Sequence, residues 1–242
     1  MPRISKWLGD AIETVLATKY LTVTVKSTEH LTPGVRKVSF EGDFSSVNFQ
    51  IGYAVSFRVN ENDHRNYTPS YFDPEKGICE IIFHLHGNGP GSAYIDNLKT
   101  GDELKIFSPR GREFYQKDKQ FHIMFGDETA IGLFHSLMSA IKQKKQHYVG
   151  IVELDEENLT VAAKIGLELA TVLKSPQQPA KNTVDSLKLL QTTLPEFFHN
   201  GMFYLAGNTS SIQVLKKTLK EMGVNIKNIK TQAYWAIGKT GL

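Results

Sequence analysis

The chain has 242 residues, of which 40% are hydrophobic and 22% charged, and its formal net charge is +3. These values are ordinary for a folded protein of one large or two small domains, and they exclude extensive disorder. The charge is too small, and the lysines are too dispersed, for a nucleic-acid surface, so we expect a small-molecule partner. The single cysteine, Cys79, excludes an intrachain disulfide and a cysteine-rich zinc site.

The N-terminal segment KWLGDAIETVLA predicts an amphipathic helix over residues 1–17, because its apolar side chains recur at helical spacing. It is not a signal peptide, and no apolar run in the chain reaches the roughly 20 residues that span a bilayer. We therefore expect a cytoplasmic protein that does not insert into a membrane and is a monomer or a weak dimer.

Short alternating segments separated by turn clusters predict an antiparallel β-barrel over residues 18–115. Its strands are YLTVTVK, GVRKVSF, YAVSFRV, NYTPSYF, ICEIIFHLH and ELKIFS. The link QKDK follows, and strands and helices then alternate over residues 120–242, which predicts a parallel sheet covered by helices. The strands of this α/β domain are QFHIMFG, YVGIVEL, ELATVLK, MFYLAG and NIKTQAYW, and its helices are AIGLFHSLMSAIKQ, LTVAAKIG, NTVDSLKLLQ and SIQVLKKTLKEM.

The segment HRNYTPSYF, residues 64–72, is interpreted as one continuous strand. Since side chains alternate along a strand, Arg65, Tyr67 and Pro69 share one face, and Thr68 lies on the other. A cation and an aromatic ring therefore point the same way.

The segment HLHGNGPGSAY, residues 84–94, ends a strand with a glycine-rich turn. Its glycines free the backbone to turn tightly, and Ser92 opens a short helix, so N–H groups and a hydroxyl converge where a phosphate binds. A turn that only reverses the chain has the same composition, and both interpretations remain open. His84 and His86 point away from the apolar face of their strand, but the sequence offers no compact third ligand, so we expect no metal site.

Two turns follow strands of the parallel sheet, FGDETAIG and LAGNTSS. Asp127 or Thr129 caps the first helix. Because the carboxyl ends of parallel strands meet at one edge, the two turns favour a ligand crevice there. Helix capping alone also explains each turn.

Taken together, the Arg-x-Tyr-Thr strand, the Gly-Pro-x-Ser turn, GDETA and the terminal YWAIGKTG resemble the siderophore-interacting proteins, a branch of the ferredoxin reductase-like flavoproteins. The likeness covers nearly the whole chain except the N-terminal helix. It implies an N-terminal antiparallel FAD-binding barrel and a C-terminal nucleotide-binding α/β domain with a parallel sheet.

The resemblance also implies residue roles. Arg65 is expected to reach a phosphate of FAD, and Tyr67 the isoalloxazine ring or the ribityl chain. The expected FAD contacts are Arg65, Tyr67, Thr68, His84, His86, Gly89, Pro90, Gly91 and Ser92. Asp127, Thr129 and Asn208 are expected to line the nicotinamide-nucleotide side, while Tyr234 and Trp235 close over the flavin.

The implied activity is the reduction of ferric siderophores to release iron, with NADH or NADPH as the co-substrate and no acid–base catalytic residue. Arg110, Arg112 and Lys239 are expected to attract the anionic substrate. Ala236 stands where the family has an arginine after Tyr-Trp, which leaves the identity of the iron chelate open. Two alternatives remain, a flavin, quinone or ferredoxin-type reductase and a non-catalytic siderophore-binding protein.

Two departures from the family and one acidic run also bear on the function. Ser70 and Tyr94 replace an arginine and a tryptophan that the family often has. The acidic run at Asp155, Glu156 and Glu157 favours NADH, because carboxylates in a dinucleotide fold bind the ribose hydroxyl and repel a 2′-phosphate.

Overall fold

The computed structural model describes residues 20–87 and 89–239. These residues form two compact units that divide between Phe114 and Tyr115, and each unit is described by itself. The division falls just before the QKDK segment, whose Gln116 backbone N–H donates to the Tyr204 hydroxyl inside the second unit at 3.0 Å. The helix predicted over residues 1–17 lies outside the described residues.

The first unit is a seven-stranded sheet whose strand pairs are all antiparallel, as predicted. Its strands are β1 (Tyr20–Thr32), β2 (Val35–Gly42), β3 (Ala54–Arg58), β4 (His64–Tyr67), β5 (Tyr71–Asp73), β6 (Ile78–His84) and β7 (Glu103–Arg110). They lie in the order β4-β3-β7-β1-β2-β6-β5. Helix α1 (Pro90–Asp96) follows the glycine-rich turn between β6 and β7.

The prediction of one strand over residues 64–72 is wrong. The strand β4 ends at Tyr67 and pairs with β3, whereas β5 begins at Tyr71 and pairs with β6 at the other end of the sheet order. Thr68, Pro69 and Ser70 are all buried, so the alternation of faces stops at Tyr67. Proline has no N–H to donate to a sheet, which favours a break at this point. Because so few residues join the two ends of the sheet, they must lie within about 14 Å of each other, as in a closing barrel.

Inward-facing apolar side chains fill the first unit. The buried cluster is formed by Val23, Val25, Val38, Phe40, Phe44, Val55, Phe57, Val59, Cys79, Ile81, Phe83, Ile95, Leu98 and Ile106. In β6, Cys79, Ile81 and Phe83 are buried on one face, whereas His84 on the other face is half-buried. The alternation is incomplete, because Ile82 on the His84 face is buried as well. Burial raises the pKa of the Cys79 thiol, which makes it an inert core residue.

The second unit is the predicted parallel sheet, with strands β8 (Phe121–Asp127), β9 (His147–Leu154), β10 (Ala170–Leu173), β11 (Met202–Asn208) and β12 (Ile229–Trp235). Its helices are α2 (Ile131–Gln143), α3 (Val161–Lys164), α4 (Lys181–Thr193), α5 (Pro195–Asn200) and α6 (Thr209–Glu221). Every residue of β11 is buried, as expected for a strand covered on both faces. Within residues 20–87 and 89–239, no helix is long and apolar enough to cross a lipid bilayer.

The helices differ from the sequence prediction in two places. The segment LTVAAKIG forms only the four-residue helix α3, because Gly166 adopts a φ of 65° that ends it early. Helix α5 was not predicted, although Pro195 at its first position is a typical start signal.

The order of the parallel strands is β10-β9-β8-β11-β12. The chain moves outward from β8 through β9 to β10, and then returns to place β11 on the other side of β8. Such a reversal opens a crevice at the carboxyl ends of the two central strands, where ligands bind in this class of sheet. The turns after Asp127 and Asn208 lie at this point.

A buried hydrogen-bond network joins the start of the second unit to its sheet. His122 is fully buried, and its Nε2 lies 3.1 Å from the Lys119 carbonyl oxygen and 3.0 Å from Gln146 Oε1. Both partners are acceptors, so Nε2 carries the hydrogen and Nδ1 accepts from the Tyr204 hydroxyl at 3.1 Å. Burial lowers the pKa of His122, despite the opposing effect of the Gln146 hydrogen bond.

The stability of the second unit should therefore depend on pH through His122. Because its folded-state pKa lies below the ordinary value, the free energy of unfolding is highest above about pH 6.5 and falls as the pH drops through the folded pKa. The limit for one proton is about 1.4 kcal/mol per pH unit. Urea denaturation at a series of pH values from 8 to 5 measures how steeply the free energy of unfolding changes with pH. The His122→Asn variant should show a flatter slope than wild type, whereas a control at the exposed His147, His147→Asn, should not. Equal slopes in all three proteins would contradict this assignment.

Candidate functional site

Arg65 and Tyr67 of β4 lie against the first turn of α1. A methyl group added at Gly91 would lie 2.6 Å from the Tyr67 hydroxyl oxygen and 3.2 Å from Arg65 Cγ. Only glycine therefore allows the two side chains to approach the helix backbone this closely. We call Arg65, Tyr67, Gly89, Gly91 and Ser92 the β4–α1 cluster.

The glycine-rich turn is held by contacts within the turn itself. The His86 backbone N–H donates to Ser92 Oγ at 3.2 Å, and a methyl group at Gly89 would lie 2.6 Å from His86 Cε1. Pro90 occupies the first position of α1, where a missing N–H costs no helix hydrogen bond. Since the Ser92 oxygen is the acceptor here, its hydroxyl can still donate to a ligand.

Contacts within the protein hold the Arg65 guanidinium in place but engage only part of its hydrogen-bonding capacity. Its Nη1 donates to the His64 carbonyl oxygen at 2.8 Å and lies 3.6 Å from Asp63 Oδ1. The side chain is 17% exposed. Among the described residues these contacts involve only Nη1, so the remaining N–H groups are suited to bidentate binding of an oxyanion.

Tyr67 turns its ring toward the barrel core and its hydroxyl toward α1. The ring centroid lies 4.6 Å from that of Phe83 and 5.7 Å from that of Phe57. Burial raises the pKa of Tyr67 to about 12, against the lowering effect of Arg65. The phenol therefore stays protonated and remains a hydrogen-bond donor at neutral pH.

Thr68 and His84 are placed by the strand ends. Thr68 is buried directly after β4, and His84 ends β6 with its ring centroid 6.1 Å from that of His86. His86 itself is exposed.

Sequence reasoning missed Arg36 of β2, which is 5% exposed. Its guanidinium donates to the carbonyl oxygens of Ile95 and Leu98, each at 2.7 Å, and to that of Asp96. These carbonyls lie in the last turn of α1 and just after it, where few helix N–H partners remain, so Arg36 fixes the end of α1 opposite the glycine-rich turn. The sequence did contain a signal, because alternation places Arg36 on the same face as the buried Val38 and Phe40.

At the carboxyl edge of the parallel sheet, Asp127 joins three strands. Its Oδ1 accepts from the Thr129 backbone N–H at 2.9 Å and from the Thr129 hydroxyl at 2.5 Å. Its Oδ2 accepts from the Asn208 backbone N–H and from Trp235 Nε1–H, both at 2.8 Å. The structure thus brings together four of the residues expected to contact a cofactor, Asp127, Thr129, Asn208 and Trp235. The Asp127 carboxylate, however, already accepts its hydrogen bonds from the protein itself.

Asn208 caps α6, as one of the two interpretations of LAGNTSS predicts. Its Oδ1 accepts from the backbone N–H groups of Ser210 at 2.8 Å and Ser211 at 3.2 Å. Its Nδ2 is buried and has no hydrogen-bond partner in the described part of the chain.

A second acidic network ties the ends of β8, β9 and β10 together. The buried Glu128 accepts from the Asp155 backbone N–H at 2.6 Å and forms an ion pair with Lys174. Lys174 Nζ also donates to Asp155 Oδ2 at 2.9 Å. Burial raises the pKa of Glu128, and the ion pair with Lys174 opposes this shift. Of the acidic run, Asp155 is therefore paired with a lysine, while the exposed Glu156 and Glu157 follow it in a 3₁₀ turn.

The remaining predicted residues lie at strand ends. Tyr234 and Trp235 end β12, and both are half-buried. Arg110 is the last residue of β7 rather than part of a loop after it, with its guanidinium carbon 5.9 Å from the Phe107 ring centroid. Arg112 in the first unit and Lys239 in the second are exposed.

Comparison with known proteins relates each unit to a protein family. Residues 22–115 match the oxidoreductase FAD-binding domain, and residues 119–238 match the siderophore-interacting protein family. Ferric vibriobactin reductase ViuB of Vibrio cholerae is 24% identical over 179 residues, which are 72% of this chain and 65% of the reductase. The match thus spans less than two thirds of that reductase.

Solved structures show the same fold. The siderophore-interacting protein SipS of Aeromonas hydrophila has a TM-score of 0.72 at 20% identity, covering 91% of this chain and 93% of its own. Ferredoxin-NADP+ reductase of Plasmodium falciparum has a TM-score of 0.73 at 14% identity, covering 90% and 97%. The ferredoxin reductase-like fold implied by the sequence is confirmed. The chain therefore carries an oxidoreductase FAD-binding domain followed by a domain of the siderophore-interacting protein family.

Proposed function

We propose that this protein is an FAD-dependent oxidoreductase that takes electrons from NADH or NADPH and reduces ferric siderophores. The observation that carries the proposal is the order of the two domains, an FAD-binding barrel followed by a domain of the siderophore-interacting protein family. The similarity to a ferric vibriobactin reductase supports the same substrate class.

The β4–α1 cluster fits the phosphate end of FAD. Arg65 offers a permanent charge and free N–H groups, and Gly91 exposes the helix backbone beside it. Ser92 and the protonated Tyr67 add neutral donors. A set composed of donors and one cation suits a phosphate, which is an acceptor at every oxygen.

Reduction would release the iron. Oxygen-rich chelators bind Fe(III) more strongly than Fe(II), so adding one electron weakens the complex. When bound, FAD supplies the chemistry that divides a two-electron donation into single-electron steps. The protein has to position and enclose the reactants, and the proposal requires no acid or base from the chain. We place this reaction in the reducing cytoplasm, which suits a chain whose one thiol is buried.

The first prediction is that the protein purifies with about one FAD per chain, and that Arg65→Ala weakens this binding. Loss of one charge-assisted contact with a phosphate should cost about 1.5 to 3 kcal/mol, or about ten- to a hundredfold in affinity. Gly91→Ala should act in the same direction, because its methyl group would displace Tyr67 and the stem of Arg65.

Titration of the apoprotein with FAD, followed by flavin fluorescence, measures these affinities. Lys105→Ala, at an exposed cation of β7, is the control and should bind FAD as wild type does. If Arg65→Ala also binds as tightly as wild type, the assignment of the β4–α1 cluster to the FAD phosphate is wrong.

The second prediction is that NADH reduces the bound flavin faster than NADPH. The exposed Glu156 and Glu157 at the end of β9 oppose a 2′-phosphate and suit a ribose hydroxyl. Stopped-flow bleaching of flavin absorbance with each donor measures the ratio of rates. The double variant Glu156→Gln and Glu157→Gln should narrow that ratio, whereas Glu196→Gln, at an exposed acid in α5, should not. A clear preference of wild type for NADPH would contradict the role given to Glu156 and Glu157. If neither NADH nor NADPH reduces the flavin, a reduced ferredoxin would be favoured as the electron donor.

The third prediction concerns iron. The reduced protein should transfer electrons to a ferric siderophore, and anaerobic trapping of Fe(II) by ferrozine should give two irons per NADH consumed. If Arg112 and Lys239 attract the anionic complex, the rate should fall with salt, because the screening length drops from about 8 Å at physiological ionic strength to about 3 Å at 1 M.

Arg112→Glu and Lys239→Glu should lower the rate at low salt, whereas Lys227→Glu, at an exposed lysine elsewhere on the second unit, should not. Unchanged rates in the first two variants would remove the electrostatic part of the proposal. Reduction of free flavin or a quinone without reduction of ferric siderophores would favour a flavin or quinone reductase, the second candidate, which Ala236 in place of the family arginine supports.

A further inference from the structure

We propose that Asp127 is a positioning residue that fixes the Trp235 ring and thereby affects the rate of flavin reduction more strongly than FAD affinity. The structural part of this inference concerns the second unit alone. Its consequence for the rate rests on the proposed function and on the role that the resemblance implies for Trp235, which is to close over the flavin.

The Asp127 carboxylate is occupied by the protein itself. It is 6% exposed and accepts four hydrogen bonds, two at each oxygen. A carboxylate has about four acceptor positions, so none remains for a nucleotide hydroxyl or amide. Asp127 therefore acts through its protein partners and not as a direct ligand of the dinucleotide.

Trp235 is held at two points. Its ring donates through Nε1–H to Asp127 Oδ2 at 2.8 Å, and its carbonyl oxygen accepts from the Thr209 hydroxyl at 3.0 Å. The first bond fixes the ring, and the second fixes the backbone at the end of the edge strand β12. Without the bond to Asp127, only packing would restrict rotation of the indole about its side-chain torsions.

Gly207 is the backbone feature that makes room for this carboxylate. A methyl group at Gly207 would lie 2.5 to 2.6 Å from Asp127 Cγ and both carboxylate oxygens. Its φ of 119° is also strained for any residue with a side chain. The glycine in LAGNTSS thus positions the Asp127 carboxylate as well as turning the chain.

An amide cannot replace the carboxylate at this position. All four hydrogen bonds are donated to Asp127, and of the donors only the Thr129 hydroxyl could also accept one. An asparagine would direct its amide N–H groups either at Asn208 and Trp235, which removes both bonds at Oδ2, or at Thr129, which leaves the Trp235 ring bonded to a neutral oxygen. In both orientations Asp127→Asn keeps the shape of the side chain and removes the charged acceptor of the Trp235 ring N–H.

The test uses the full-length protein, with and without FAD, labelled with 15N at the indole nitrogen of tryptophan. The sequence has two tryptophans, Trp7 and Trp235, so a Trp7→Phe background isolates the signal of Trp235. In wild type, the Trp235 indole proton should be shifted downfield by the carboxylate and should exchange slowly with water.

In Asp127→Asn the shift should be lost, and exchange should accelerate about ten- to a hundredfold, the equivalent of one hydrogen bond to a charged group. Asp185→Asn, at an exposed acid of α4, is the control and should leave the signal unchanged. Gly207→Ala should reproduce the effect of Asp127→Asn by displacing the same carboxylate. A fast-exchanging, unshifted Trp235 proton in wild type would overturn the inference without any variant, as would an unchanged proton in folded Asp127→Asn.

The kinetic part compares FAD affinity with the rate of flavin reduction. Asp127→Asn should weaken FAD binding less than Arg65→Ala does, because the donors in the β4–α1 cluster stay intact. The Asp127→Asn variant should reduce its flavin with NADH more slowly than wild type does. In a Trp235→Phe background, which has no indole N–H, the same substitution should cause no further slowing. An equal slowing in both backgrounds would assign Asp127 a role apart from Trp235. If wild type reduces no ferric siderophore but the indole results hold, the proposed function fails while Asp127 still positions Trp235.

Discussion

The close approach of the Gly91 backbone to the Tyr67 hydroxyl and the Arg65 stem is the contact on which the account of the first unit depends. It joins a strand at one end of the barrel sheet to a helix that follows a strand near the other end. Arg36 holds the far end of the same helix by donating to three carbonyl oxygens. The protein's own contacts therefore fix helix α1 at both ends. A site that is formed in this way without its ligand loses less conformational entropy on binding.

A glycine also makes room for a polar side chain in the second unit, at the crevice of its parallel sheet. Gly207 leaves space that the Asp127 carboxylate occupies, as Gly91 leaves space for Tyr67. In both places a missing side chain allows a polar group to approach the backbone closely, and the Asp127 carboxylate has all its hydrogen bonds satisfied there. Such an arrangement suits a reaction in which electrons move and the protein has to hold groups at fixed positions.

Much of this architecture followed from local patterns. Alternation predicted the barrel strands and the apolar face of Cys79, Ile81 and Phe83, and the alternation of strands with helices predicted the parallel sheet. The resemblance associated Arg65 with the glycine-rich turn, and a cation and exposed N–H groups do suit the same ligand. The break at Thr68 was missed, because a proline that interrupts a strand and one at a strand edge look alike in sequence.

The internal partners of charged residues were not predictable in the same way. Asp127 and Trp235 are 108 residues apart in the chain, and no local spacing relates them. The ion pair between Glu128 and Lys174 likewise depends on the order of the parallel strands. Residues identified as possible ligands from their type proved to be one hydrogen-bonded unit, so their individual roles depend on contacts that only the fold supplies.

The central claim is that the β4–α1 cluster binds the phosphate end of FAD, and a crystal structure of the protein with FAD tests it most directly. A phosphate oxygen should lie within hydrogen-bonding distance of the Arg65 guanidinium and of the backbone at Gly91 or Ser92, with Tyr67 in its present place against α1. A flavin whose phosphates lie away from Arg65, with the β4–α1 cluster still closed on itself, would contradict it.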